Sequence, residues 1–145
     1  MQGGVSESSA EEPAQVRRRQ RVMALLAEGD RLVALAELVG LGSMPGSERM
    51  VILAGRLLRE GVLQQSALST NDGFCSRTKG AALVDAVLTV VDRCESLVDS
   101  GVPAAAIEEL DFGPLIRARD ETGPDDGDGC RRHRDLMLER LEALT

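Results

Sequence analysis

The strongest constraint on the fold is an aliphatic stripe. Leu83, Ala86, Val87, Val90, Val91, Cys94, Leu97 and Val98 recur at three- and four-residue steps, the period of one helix face. Two further segments follow the same rule. Val22, Leu25, Leu26, Gly29, Leu32, Val33, Ala36 and Val39 form one stripe; Met50, Leu53, Ala54, Leu57, Leu58 and Val62 form another. No segment alternates apolar and polar residues over strand length. The chain has no Trp or Tyr, and only Phe74 and Phe112 are aromatic. Its core is therefore aliphatic, and the β-branched and aromatic mixture that fills sandwiches and barrels is thin. These patterns predict an all-α protein, an antiparallel bundle of about five to six helices joined by short loops.

Breaks in the stripes give the organisation. Residues 1–13 are small, acidic and polar and predict a disordered leader. The bundle is expected over 14–120, an apolar-free linker over 121–130, and a terminal helix over 131–145 carrying Leu138, Leu141 and Leu144, with Met137 close by. Gly29 lies on the first stripe and predicts a kink or break before Asp30. Gly40 and Gly101 suit helix C-termini because glycine reaches the left-handed conformation without a Cβ clash. Ser43 and Pro45 suit the start of the second helix, which is expected to end near Gln65. Ser76 or Thr78 suits the cap of the long helix that follows.

Charge and missing motifs exclude several function classes. The formal net charge is −7, which disfavours nucleic acid unless basic residues are segregated. The clusters Arg17, Arg18, Arg19, Arg21 and Arg131, Arg132, Arg134 have no interleaved aromatic for base stacking, so they read as solvated helix faces. A small helix-turn-helix regulator of DNA is disfavoured for the same reasons. No phosphate-binding loop, dinucleotide fingerprint, zinc-protease or nucleophile-elbow motif occurs. Asp125, Asp126 and Asp128 resemble part of a calcium loop but lack its closing glutamate. His133, the single histidine, reads as a surface residue, and Cys75 has no nearby base. No catalytic residue and no metal site is expected. Three widely spaced cysteines, Cys75, Cys94 and Cys130, suit reduced thiols in a cytosolic protein better than disulfides or zinc. No signal peptide and no membrane-spanning run is seen.

The stretch from Glu37 to Leu68, "ELVGLGSMPGSERMVILAGRLLREGVLQQSAL", followed by "NDGFC", resembles the C-terminal helical domain of the catalytic A subunit of V/A-type rotary ATPases. The matching residues are Leu38-Val39-Gly40, Pro45, Ser47-Glu48-Arg49, Arg59-Glu60, Leu63-Gln64-Gln65, Ala67, Asp72 and Cys75. Gly101-Val102-Pro103 and Ile107 match its "GVP…I" step. The resemblance runs from about Val22 to Arg119. It implies a helical domain with no chemistry of its own. In such a domain a helix-turn-helix tip faces the central rotor shaft, here Leu41, Met44, Pro45 and Glu48. The LQQ region walls the adenine end of the nucleotide pocket, here Gln64, Gln65, Ala67 and Leu68, with Phe74 in place of the family's loop tyrosine. The implied partners are the central stalk and the B subunit, with ATP or ADP bound only in the intact complex and ion transport as its work. The implied location is cytoplasmic, peripheral to the membrane.

The chain also departs from the family. Leu68 replaces an aromatic, Gly61-Val62 replaces Asp-Phe, and Gly42 and Gly46 stand where Asp and Glu are usual. The 145 residues hold no counterpart of the family's barrel and nucleotide-binding domain. These departures leave a second expectation open, a free-standing interaction module with no nucleotide binding.

Overall fold

The computed structural model describes residues 13–63, 77–121 and 127–145. All regular structure among them is helical: α1 Pro13–Val39, α2 Gly46–Leu58, α3 Arg77–Asp99, α4 Ala104–Glu108, α5 Gly113–Glu121 and α6 Gly127–Glu142. A 3-10 turn, Leu41–Ser43, joins α1 to α2, and a π turn, Arg59–Leu63, extends α2. The fold is all-α, as the stripes predict.

The stripes meet in one aliphatic core. Met50, Leu57 and Leu58 of α2 join Val87, Val90 and Leu97 of α3, all at most 2% exposed. Ile107, Phe112, Leu115, Met137 and Leu141 close the same cluster from the C-terminal third. A smaller cluster, Ala82, Leu83, Ala118 and Cys130, lies where α3, α5 and α6 meet. α2 packs on α1 and α3, and α6 packs on α3 and α5. The ion pairs Arg18–Asp85 and Arg21–Asp92 advance together along α1 and α3. These two helices therefore run in the same direction, as first and third helices of an up-and-down bundle do.

Several expectations are corrected. α1 is continuous through Gly29. A Cβ on Gly29 would meet Val51 O at 3.4 Å and Gly55 Cα at 3.7 Å. The missing side chain thus serves a close crossing of α1 and α2, and no break. Val33 and Val39 are 42% and 50% exposed, because α1 runs past the core toward the turn at Leu41. Pro45 precedes α2 as its cap residue, and Gly46 is the first helical position. The α-helical bonding of α2 gives way after Leu58 to the π turn, which carries the helix on to Leu63; the expected end near Gln65 lies outside the described residues. The terminal helix starts at Gly127, inside the predicted linker. Cys130 is fully buried there and Asp128 pairs with Arg131 across the first turn, which is what a polar, Gly-rich stretch conceals. The predicted leader up to Glu12, the loop residues 64–76 with Phe74 and Cys75, and the polar residues 122–126 lie outside the described residues.

Two helix ends behave as their glycines predict. Gly40 and Gly101 have φ of 89° and 113°. After α3, Val102 N–H donates to Leu97 O at 2.9 Å and Gly101 N–H to Val98 O at 3.0 Å, the paired bonds of a glycine-terminated helix.

Gly46 meets α3 tightly. A Cβ there would lie 2.8 Å from Val98 Cγ1, and a valine in a helix has little χ1 freedom to retreat. Gly46→Ala is expected to cost about 1 kcal/mol despite its better helix propensity. Adding Val98→Ala should recover most of the loss specific to the clash, as read from denaturant midpoints in a double-mutant cycle.

Candidate functional site

The site the sequence points to has two parts, the turn between α1 and α2 and the end of α2 leading to Gln64.

At the turn, α1 ends on Gly40, whose N–H donates to Ala36 O at 2.8 Å. The 3-10 turn then reverses the chain. Leu38 is 84% exposed, Val39 50% and Leu41 41%. Three neighbouring aliphatic residues in water at one end of a bundle form a compact apolar contact surface. Pro45 is exposed and Glu48 half-buried beside it. Met44, predicted to face outward with Leu41, is instead only 6% exposed. Turning Met44 inward lets it plug the base of the turn, so the outward apolar contact falls to Leu38 and Val39. Both lie on residues that the sequence pattern assigns to the helix end. The signal that marks Leu38 is its position outside the three- and four-residue steps of the buried face.

The base of the turn is braced. Arg49 Nε donates to Glu108 Oε2 at 3.0 Å in a two-pronged pair whose side chains are 17% and 22% exposed. The hydrogen bond to Glu108 holds the Arg49 guanidinium more firmly charged than usual. This pair ties the first turn of α2 to α4, just after the Gly101-Val102-Pro103 step. Two motifs separated in sequence are thereby one mechanical unit.

At the other end, the π turn widens the helix and is a geometry often found where a helix serves function. Gly61 sits against α5: a Cβ there would meet Leu115 O at 3.4 Å and Ile116 Cα at 3.8 Å. Arg59 binds Asp30 of α1 at 2.8 Å. The turn is thus held from both sides just before the LQQ motif. Gln64, Gln65, Ala67 and Leu68 themselves lie outside the described residues. A hollow of about 370 Å³ opens beside Val62, lined by Val22, Met23, Gly80, Ala81 and Val84, with Arg18 and Arg19 at its edge.

Two arginines of the N-terminal basic cluster, Arg18 and Arg21, pair with α3, while Arg17 and Arg19 are exposed as a solvated face requires. Arg18 Nε donates to Asp85 Oδ1 at 2.6 Å and its Nη2 to Asp85 Oδ2 at 3.1 Å. Arg21 pairs with Asp92 in the same two-pronged way, which raises the Arg21 pKa, chiefly through that hydrogen bond. These arginines stitch α1 to α3 and are committed to carboxylates, which argues against phosphate binding. Arg131 and Arg134 pair with Asp128 and Asp135 on their own helix. His133 is half-buried on α6, in place of the surface position its arginine neighbours predict.

Glu95 sits beside the stitch between α1 and α3. Its pKa is raised, first by desolvation, against which Arg21 acts, and further by Asp92 and Asp99. A carboxyl whose folded pKa exceeds its unfolded value costs stability above the folded pKa, and the cost disappears as pH falls below the unfolded value. Glu95→Gln is therefore expected to stabilise at neutral pH by less than about 1 kcal/mol, kept small by solvent screening. The gain should vanish in acid, as measured by urea unfolding across pH.

Among the described residues no group of His, Cys, Asp and Glu could hold a metal ion, and no helix is long and apolar enough to cross a membrane. Cys94 and Cys130 are both buried, and Cys94 is a free thiol. Burial, and secondarily Glu95, pushes the Cys94 thiol up to about 12. Because the thiolate is the reactive form, Cys94 should resist thiol reagents at mildly alkaline pH in the folded chain and react fully once denatured. Mass spectrometry of the alkylated peptide reads this directly.

Similarity to known proteins follows the same geometry. A family model described as the C-terminal domain of V and A type ATP synthase matches residues 8–106. That span holds the stitched helices, the apolar turn, the π turn and the Gly-Val-Pro step. The V-type ATP synthase alpha chain of Nitrosococcus oceani is 36% identical over 101 residues, covering 70% of this chain and 17% of that relative. The A subunit of the A-type ATP synthase of Ignicoccus hospitalis is 32% identical over 104 residues, 70% of this chain and 17% of the relative. That of Halobacterium salinarum is 32% identical over 108 residues, 74% and 18%. The chain thus spans less than a fifth of the length of these relatives. The match starts earlier than the motifs do and stops before Ile107, so α5 and α6 lie outside it while sharing the core. With more than half of its residues in the family model and its helices built around the family's motifs, the chain belongs to the family of C-terminal domains of V and A type ATP synthases.

Proposed function

We propose that the chain acts as a lever in a V/A-type rotary ATPase, coupling the opening and closing of a nucleotide site to the central rotor during proton or sodium transport. It breaks no bond itself. The observation that carries this reading is the apolar turn of Leu38, Val39 and Leu41, 84%, 50% and 41% exposed, at the end of an arm braced by Arg49–Glu108. A braced arm with a greasy end transmits force to a partner and does little else. In this reading the turn meets the central stalk, with Leu41, Pro45 and Glu48 among its contacts. Gln64, Gln65, Ala67 and Leu68 wall the adenine end of a nucleotide held mainly by other domains. The apolar hollow beside Val62 supports that assignment, since it suits a flat base better than phosphates. The B subunit is the neighbouring partner.

Co-expression with the rotary ATPase subunits of the same cell, followed by affinity capture on a tag on this chain, tests it. The eluate is expected to contain central stalk proteins together with the B subunit. Leu38→Asp with Leu41→Asp should remove the stalk proteins while the fold persists. A clean eluate from the unaltered chain would overturn the reading. The isolated chain is expected to release no phosphate from ATP and to show weak or no ATP binding by calorimetry.

One observation favours a second reading, a free-standing interaction module without nucleotide. Gly46 is closed in by Val98, so the acidic side chain usual in the family has no room at that position. Capture of neither the stalk nor the B subunit, with the apolar turn still required for some other stable complex, would select it.

A further inference from the structure

α2 changes its winding without ending. Its α bonds run to Leu58, and the turn Arg59–Leu63 continues the helix with π bonds. Such a turn bonds i to i+5, so it holds one residue more than an α turn, and it recurs at functional positions. Neighbouring helices hold it in place. Gly61 is buried and lies against the backbone of α5, where an added Cβ would meet Leu115 O at 3.4 Å and Ile116 Cα at 3.8 Å. Arg59 binds Asp30 of α1 at 2.8 Å. Val62 is half-buried and packs against both core clusters.

The same residues wound with α bonds would not fit. Each would advance further around the axis, and by Leu63 the chain would be carried on by about one residue, roughly 100°. Gly61 would leave α5, and Glu60 would come toward it. Leu115 O would then face a carboxylate-bearing side chain where no side chain now stands, and a carbonyl oxygen and a carboxylate repel. α5 must therefore lift for the turn to rewind, and a docked α5 keeps the turn wide. The start of α2 cannot take up the rotation. Arg49 is tied to Glu108 by two hydrogen bonds, and Gly46 is closed in by Val98. The change is delivered to the far end, at Leu63.

We propose that the π turn and α5 form a register switch. With α5 seated on Gly61 the turn keeps its wide winding; with α5 lifted it rewinds to α and redirects the chain leaving Leu63. An element with two discrete packed arrangements is what lets distant sites bias one another. The switch goes beyond the lever reading and rests on it in one respect: the lever supplies the force, carried along α2 from the turn at Leu41 toward the LQQ motif. The two arrangements themselves are a property of the chain alone.

Backbone relaxation dispersion of the full chain by NMR tests the switch without any partner. Arg59–Leu63 and Leu115–Ala118 are expected to share one exchange rate in the microsecond-to-millisecond range, while Val87–Val91 of α3 show none. Gly61→Val sets branched bulk against the α5 backbone and should raise the minor population at least about threefold. Deletion of Glu60 removes the extra residue, so the turn closes as α with both flanks in place, and dispersion should vanish from both segments. No exchange in the unaltered chain, two different rates, or exchange confined to one segment would each overturn the proposal, whether or not the variants fold. So would a folded deletion chain that still exchanges, or a folded Gly61→Val chain with an unchanged minor population. The deletion leaves Leu38 and Leu41 intact, so capture of stalk proteins by that chain reports on the lever reading separately.

Discussion

Phe112→Ala is expected to destabilise the chain by about 3–5 kcal/mol, the range for removing a buried aromatic side chain. Phe112 is 2% exposed in the main core cluster, and it enters α5 through a fixed turn in which Gly113 N–H donates to Asp111 Oδ1 at 2.8 Å. Around it lie the aliphatic residues of α2, α3 and α6, which lack the bulk to collapse into the space it leaves. The loss is a large share of the roughly 5–15 kcal/mol typical of a whole domain. It should appear as a fall in denaturant midpoint without a change in slope. The result also tests an architectural claim. Phe112 lies beyond the part matched by the family model, so a large loss would show that the C-terminal third is structural to the bundle. A loss below about 1 kcal/mol, the scale of a surface change, would mean that α5 and α6 are accessory.

The second large effect is expected at the crossing of α1 and α2. Gly55→Leu should cost about 2–3 kcal/mol, because the added atoms meet backbone and not a movable side chain. A Cβ alone at Gly55 would sit 3.8 Å from Leu25 O and 3.9 Å from Gly29 Cα, ordinary contact. Gly55→Ala is therefore expected to be neutral or to stabilise by up to about 1 kcal/mol, through the backbone entropy that glycine carries in a helix. The contrast separates packing from propensity: the smallest side chain helps and the larger one wedges the helices apart. The same wedge displaces the arm that ends in Leu38 and Leu41. Gly55→Leu should accordingly weaken stalk capture in the co-expression assay at a temperature where circular dichroism still reports full helix. Equal losses from the alanine and leucine changes would show that the glycines matter for backbone freedom and not for closeness.

Much of this molecule is written locally. The stripe from Leu83 to Leu97 is buried as its spacing requires, since a face that recurs every three or four residues has one direction to point and water is the unfavourable one. Gly40 and Gly101 end their helices because no other residue takes a positive φ so easily. The LQQ and Gly-Val-Pro motifs, recognisable in the chain itself, point to the family, and the family model agrees. Other features depend on what stands opposite. Gly29 reads as a break until Gly55 and Val51 are found against it. Arg18 and Arg21 read as a solvated face until Asp85 and Asp92 come across from a helix far along the chain. Met44, expected to face outward, turns in, because whether an apolar residue at a turn is plug or contact depends on the neighbours the turn brings to it.

The sequence by itself determined which segments coil, that glycines end two of them, and that aliphatic faces must meet, since helix period and glycine conformation are properties of neighbours along the chain. Only the tertiary structure decided which glycines are contact points, which arginines are stitches, and which leucines remain in water for a partner. Those outcomes depend on residues brought together across the bundle, and proximity in space between distant positions leaves no periodic trace in a single chain.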